Sequence, residues 1–161
     1  MAVTPEAFKQ ALQLWASGIA VVTSKTEEFG LRGMTVTAFS SVSAKPPQIL
    51  VCLNQNADTG ENIDQNGRFA VNILNTSQQD VSNNFSGGSS QEDRFANSRW
   101  SIGETGVPIL DDSILSLECK VIEKIRAGSH WILIGEVEAT VCRSGEPLLY
   151  FRSGYRQLTD V

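Results

Sequence analysis

The sequence is poor in the residues that most often announce a chemistry. Histidine occurs once, as His130. One histidine and three scattered cysteines, Cys52, Cys119 and Cys142, do not make the ligand set of a metal centre. The cysteine number is odd and no Cys-x-x-Cys pair occurs, so no disulfide framework is expected and a reducing, cytoplasmic compartment fits better. Each cysteine falls in an apolar, strand-like run, where a free thiol is expected to act as a small buried hydrophobe. Cations are also few: 13 Lys and Arg stand against 18 Asp and Glu, for a net charge of −5. A broad nucleic-acid footprint needs clustered cations and is not expected. No run approaches the roughly 20 apolar residues of a membrane span. The opening MAVTPEAFKQ lacks the basic start and apolar stretch of a secretory signal. Without one, the triplets Asn75-Thr76-Ser77 and Asn84-Phe85-Ser86 read as coincidental glycosylation matches. Missing too are a Gly-x-Gly-x-x-Gly helix opening, a phosphate loop ending Gly-Lys-Ser/Thr, and a Gly-x-Ser-x-Gly elbow. A Ser-His-Asp arrangement would have His130 as its base, yet no serine is marked out by its neighbours.

What is present suits one domain spanning 1–161: 161 residues, 41% hydrophobic and 19% charged, enough for one substantial core. Thr4-Pro5-Glu6 opens a helix, with Thr4 as cap and Pro5 at the first helical position. Phe8, Ala11, Leu12 and Trp15 follow at helical spacing and predict a core-facing stripe. Strands are expected over Ile19–Ser24, Gly33–Val42, Gln48–Asn54 and Arg68–Leu74. Lys45-Pro46-Pro47 separates the second from the third. Asp58-Thr59-Gly60-Glu61 has the spacing of a capping box, and Gly67 suits the stop of a short helix. Ser77 is expected to cap another helix reaching Phe85. Ser86–Gly106, rich in Gly, Ser and Asn, reads as a binding-site loop or lid. Leu115, Leu117, Cys119 and Val121 alternate with polar residues, as do Leu133, Gly135, Val137, Ala139 and Val141. Such alternation predicts two long strands, each with one buried and one wet face. Leu148–Arg152 reads as a last short strand. Many strands, tight turns and a few short helices point to a mainly β, antiparallel barrel.

Three stretches could carry chemistry. Thr and Ser crowd Gly33–Ser43, either as donors to a ligand or as a strand facing water. Asn54–Glu61 runs from a strand into a helix start, which favours phosphate but also describes any ordinary cap. Gly128-Ser129-His130 is a turn whose histidine is either functional or merely solvated. The residues alone do not reach a reaction.

Taken in order, several segments resemble the short-chain flavin reductase family, the reductase components of two-component flavin monooxygenases. They are Ser17–Thr23, Gly33–Ser43 followed by Pro46-Pro47, Val51–Asn54, Gly67–Leu74, Gly128-Ser129-His130, Pro147–Arg152 and Gly154–Arg156. The resemblance runs from about Phe8 to Leu158. It implies a Greek-key split β-barrel that binds FMN or FAD and is reduced by NADH or NADPH. It implies Thr35, Val36 and Thr37 at the isoalloxazine edge, with Ser40 and Ser41 near the ribityl chain. Cys52 is placed among the flavin contacts, Asn54 and Thr59 at the ribityl or phosphate region, and Asn84, Phe85 and Ser86 on the loop side. His130 is expected beside the nicotinamide, with Phe151, Arg152, Ser153, Gly154 and Tyr155 completing that pocket. Many members have Asp where Ser129 stands. No acid–base residue and no metal is expected in the hydride step, which rests on positioning. The resemblance also implies a homodimer and a separate monooxygenase that takes the reduced flavin. A flavin-holding electron carrier is the alternative, and a hydrolase built on His130 a more distant one.

Overall fold

The computed structural model describes residues 2–161. In chain order the elements are α1 (Pro5–Leu12), β1 (Ser17–Gly18), β2 (Ala20–Thr26), β3 (Gly30–Val36), β4 (Phe39–Ala44), β5 (Pro47–Asn54), α2 (Asp58–Asn66) and β6 (Arg68–Ile73). There follow α3 (Gln79–Phe85), α4 (Gln91–Ala96), β7 (Trp100–Ile102), β8 (Pro108–Leu110), β9 (Leu115–Ala127), β10 (His130–Cys142), β11 (Leu149–Phe151) and β12 (Gly154–Arg156).

Seven strands form one antiparallel sheet in the order β3-β2-β6-β9-β10-β5-β4. Val36 from one edge strand shares a core with Val51 and Leu53 of β5, near the other edge, and with Val22, Phe69, Cys119 and Leu133 between them. Only a sheet rolled upon itself brings these side chains together, so the expected mainly β, antiparallel split barrel is what forms. The roll does not close by a β3–β4 ladder. The chain instead steps from one edge to the other through Thr37 and Ala38, and a split remains there. The step is fixed by the Phe39 N–H donating to the Thr37 carbonyl and the Cys52 N–H donating to the Ala38 carbonyl, both at 3.1 Å. The expected single strand Gly33–Val42 is thus two, broken where the barrel turns its corner.

Local expectations fared unevenly. Gly67 does stop α2: at φ 69° it is left-handed, and its N–H donates to the Ile63 carbonyl at 2.8 Å. The capping box at Asp58 does not form. Ala57 occupies the cap position, and Glu61 is drawn away by Arg32 at 2.7 Å. Ser77 does not cap α3 either; Gln78 takes that position, while the Ser77 hydroxyl donates to Asn75 Oδ1 at 2.6 Å. The stretch expected as loop or lid, 86–106, contains α4, capped by Ser90, and β7.

The two-faced reading of β9 fails at its start, where Ser116 and Glu118 are as buried as Leu117 and Cys119. A second layer covers them: the Ser116 hydroxyl meets that of Ser113, in the segment after β8, at 2.9 Å, and Glu118 accepts from the turn between β7 and β8. The α1 stripe is also corrected. Phe8, Leu12 and Trp15 are 55%, 53% and 74% exposed, because α1 stands off the barrel. Of the cysteines, Cys119 is buried, Cys52 half-buried and Cys142 exposed, the last because it ends β10.

Candidate functional site

The split opens a trough. Its inner end is lined by Met34, Thr35, Ala57, Thr59, Ser86 and Arg94, with Phe85 behind. Its outer part, about 550 Å³, is lined by Thr35, Val36, Thr37, Ser86, Ser153 and Tyr155. Thr35 and Ser86 border both parts, which makes them one groove.

The walls are pinned from behind. Thr35 donates through Oγ1 to the Ser82 carbonyl at 2.8 Å, and Ser86 donates to the same carbonyl at 2.6 Å. The Tyr155 hydroxyl donates to Asn83 Oδ1 at 2.6 Å. Helix α4 is clamped onto β3: the Gly33 N–H donates to Gln91 Oε1 at 2.9 Å, and Arg94 Nη1 donates to the Gly33 carbonyl at 2.8 Å. Gly33 must be glycine, because a Cβ there would lie 2.8 Å from the Phe85 ring. Phe85 is held in turn by Phe95 and Trp100, with ring centroids 5.1 and 5.4 Å away.

Two buried polar atoms in the trough wall have no partner, Thr59 Oγ1 and Arg94 Nε. An unpaired buried polar group costs about 1–3 kcal/mol. Both belong to side chains at the inner end, beside the start of α2, where no side chain caps the free N–H groups. A hydroxyl, a guanidinium N–H and a bare helix start together form a donor set that a phosphate monoester fits. The outer part offers Ile19, Val36 and Tyr155, which suit a flat ring. The chain therefore has a fitting place for a flavin phosphate and ring.

Of the residues expected at the site, the trough brings together Thr35, Val36, Thr37, Thr59, Phe85, Ser86, Ser153 and Tyr155. Phe151 and Arg152 line a neighbouring cleft that shares Thr37 and Ser153 with it. Gly154 lies in β12 between two lining residues. Asn54 ends β5, its Oδ1 accepting from the Asn56 N–H at 2.9 Å, two residues before the lining begins. Ser40 and Ser41 are exposed on β4, and half-buried Cys52 lies in the β5 ladder opposite Ile132. Asn84 turns to α4, donating to the Arg94 carbonyl at 3.0 Å. His130 is exposed opposite Asn54, with Nδ1 2.9 Å from the Ser129 hydroxyl, and within one chain it borders neither cleft. It is therefore not brought beside Phe151–Tyr155.

Gln91 and Arg94 are the residues that sequence reasoning missed. A signal existed: Ser90-Gln91-Glu92-Asp93 has the spacing of a helix start, and Ser90 does accept from the Asp93 N–H at 3.1 Å. The Cys52 and Cys119 thiols are not poised for nucleophilic work. Burial raises the Cys52 pKa, and burial, with Glu138 and Glu118 adding to it, pushes Cys119 up to about 12. Among the described residues no group of three or more His, Cys, Asp or Glu side chains could hold a metal ion, and no helix is long and apolar enough to cross a membrane.

Known proteins share this architecture. The model of the flavin reductase like domain matches residues 12–159. An FMN reductase (NADH) RutF from Pseudomonas syringae pv. syringae is 40% identical, over 98% of this chain and 88% of its own. The flavin reductase of styrene monooxygenase from Pseudomonas putida S12 superposes with a TM-score of 0.86 at 34% identity, covering 96% of this chain and 98% of that one. The NADH:FAD oxidoreductase SgcE6 from Streptomyces globisporus C-1027, solved with NAD and FAD fragments, gives a TM-score of 0.90 at 27% identity, covering 99% and 97%. With the family model and a relative of 40% identity both spanning nearly all of it, the chain belongs to the flavin reductase like domain family.

Proposed function

We infer that this chain is an NAD(P)H-dependent flavin reductase that supplies reduced flavin to a separate monooxygenase. The observation that carries this reading is the pair of unpartnered buried atoms, Thr59 Oγ1 and Arg94 Nε, at one end of a trough whose other end is edged by Thr35–Thr37. The cofactors supply the chemistry, a hydride passing from nicotinamide C4 to flavin N5. The protein supplies position. Thr59, Arg94 and the start of α2 hold the phosphate. Thr35 and Thr37 meet the ring edge, and Val36 and Tyr155 shape the pocket for its face. Asn54, Ser40, Ser41 and Cys52 serve as outer contacts along β4 and β5, and Asn84 steadies α4. His130 orients the nicotinamide carboxamide or ribose, its ring held by Ser129.

FMN and NADH are the pair we assign, supported by the name of the 40% identical relative; FAD is the second flavin to test, supported by the name of SgcE6. The monooxygenase partner is supported by the styrene monooxygenase reductase. We place the protein in the cytoplasm as a homodimer of single-domain subunits. Exposed Phe8, Ile122 and Ile125 supply apolar surface for such pairing. A fixed electron carrier is not favoured, since the matched relatives are named as reductases.

The deciding experiment is anaerobic stopped-flow reduction with each flavin and each nicotinamide, followed by steady-state NADH oxidation under excess free flavin. Many turnovers per protein are expected. A single turnover that stops at one flavin per chain would overturn the reductase reading.

A further inference from the structure

β3 is an edge strand, laddered only to β2. In an antiparallel ladder every second residue of an edge strand turns its N–H and C=O away from the sheet. Gly33 is such a residue, and one helix takes both groups. Its N–H donates to Gln91 Oε1 at 2.9 Å, and its carbonyl accepts from Arg94 Nη1 at 2.8 Å. Residues 91 and 94 are three apart and so share a face of α4. That face is turned inward, whereas Glu92 and Asp93 are exposed. Gln91 and Arg94 both line the inner end of the trough, where Arg94 Nε is unmet.

Covering a sheet edge needs only a donor and an acceptor. The pair found here also preserves a charge. Among the described residues the salt bridges use Arg32, Arg68, Arg99 and Lys124 and leave Arg94 out. Neutral groups hold Arg94 instead: the Gly33 carbonyl takes Nη1, and Asn84 of α3 donates to the Arg94 main-chain carbonyl at 3.0 Å. Gln91 is neutral too. Gln91→Glu would keep the acceptor, yet it would set a carboxylate one turn from the guanidinium and offset its charge. The backbone between the two contacts has no room to drift. Gly33 is buried against the Phe85 ring, which a Cβ would meet at 2.8 Å.

We propose that Gln91 is a positioning residue that sets the preference for FMN over riboflavin. By fixing the Gly33 N–H it fixes the carbonyl that follows, and that carbonyl aims the Arg94 guanidinium at the flavin phosphate. Gln91 itself touches no ligand. FMN differs from riboflavin by its phosphate, so Gln91 acts on that choice and not on the ring or the hydride step. The proposal rests on the reading of Thr59 and Arg94 as the phosphate end of the trough but has its own readout.

The test is fluorescence titration of the full chain with FMN and with riboflavin, for wild type, Gln91→Met, Arg94→Met and the double variant. Gln91→Met raises the FMN Kd about fivefold, the scale of one neutral hydrogen bond, while the riboflavin Kd holds. In the double variant the FMN Kd matches that of Arg94→Met, because the aim matters only while the guanidinium is present. In steady-state NADH oxidation Gln91→Met raises the FMN KM and leaves kcat unchanged. Riboflavin binding also controls for folding, and α4 keeps its seat through Phe95, whose ring lies 5.1 Å from Phe85 and 4.7 Å from Trp100. Losses that multiply in the double variant would mean that Gln91 grips the phosphate itself, and they overturn the proposal. So do equal losses for both flavins, which reduce Gln91 to a cover for the sheet edge. An FMN Kd unmoved by Gln91→Met overturns it too, as does a wild type that binds FMN no tighter than riboflavin. FMN binding without NADH turnover would sink the reductase reading alone, because the titrations still decide the role of Gln91.

Discussion

Two polar clusters lie within this barrel, and they are built to opposite rules. Around Glu118 every donor is met. Its carboxylate accepts from the Glu104 N–H at 3.0 Å and from the Thr105 N–H and hydroxyl at 2.7 and 2.6 Å. Nearby, Asn72 accepts from the Leu110 N–H and the Ser116 hydroxyl at 2.9 Å and donates to the Val21 carbonyl at 3.1 Å. In the trough, Thr59 and Arg94 keep buried donors unmet. A saturated cluster fixes the fold, because each lost partner strands another group. An unsaturated cluster in a cleft keeps capacity for something that arrives later.

Four measurements sharpen or break this contrast. The largest effect is expected from Glu118→Ala, which strands three donors at once. Unfolding free energy should fall by about 3 kcal/mol, given that hydrogen bonds to charged groups contribute about 1.5–3 kcal/mol each and are not additive. A loss below about 1 kcal/mol in chemical denaturation would show that water replaces the carboxylate and that the cluster is not structural. Next comes Arg94→Met. FMN affinity should fall about 30-fold, the worth of a charge-assisted contact of roughly 2 kcal/mol, while riboflavin, which has no phosphate, binds as before. Equal losses for both ligands would move Arg94 away from the phosphate.

Thr59→Val is subtler and more telling. Removing an unpaired hydroxyl should leave the free protein as stable, or more stable by up to about 1 kcal/mol. FMN affinity should nevertheless drop several-fold. Destabilisation without any change in affinity would place Thr59 with the saturated cluster. The smallest effect concerns the thiols. Cys142 should react readily with a disulfide reagent, Cys52 slowly and Cys119 only on unfolding. The Cys119 thiol also sets a pH window. Below its ordinary value of 9.0 it is protonated in both states and contributes nothing. Above that the unfolded thiol ionises while the native one resists up to about 12, so stability is lost as pH rises between the two values. Cys119→Ala should flatten that part of the stability profile relative to the wild type.

The sequence made the frame legible because strands announce themselves by period. Leu133, Gly135 and Val137 alternate as a barrel strand must, and Gly67 marks its helix end by needing left-handed backbone. What misled was everything set by a second layer. Glu118 reads as a wet-face residue until the turn between β7 and β8 folds over it. Trp15 reads as core until α1 stands clear of the barrel. The trough was half legible: Thr35–Thr37 and Thr59 stood out through composition and a helix start. Arg94 did not, because its role depends on α4 packing against β3, some 60 residues earlier in the chain; the Arg94–Gly33 bond spans 61 residues. His130 shows the reverse case, a residue conspicuous in sequence that borders neither the trough nor the cleft beside it within one chain.

The step through Thr37 and Ala38 also has a kinetic consequence. β3 and β4 are neighbours in the chain yet occupy opposite ends of the seven-stranded order. Each can pair early with its hairpin partner, β2 or β5. The pairings that carry one hairpin round to the other, β2 with β6, β6 with β9 and β10 with β5, span much longer loops and form late. The edges therefore meet, and the trough takes shape, only when the rest is assembled. A ligand seated there binds the finished molecule and not its folding transition state, so saturating FMN should slow unfolding while leaving the folding rate unchanged.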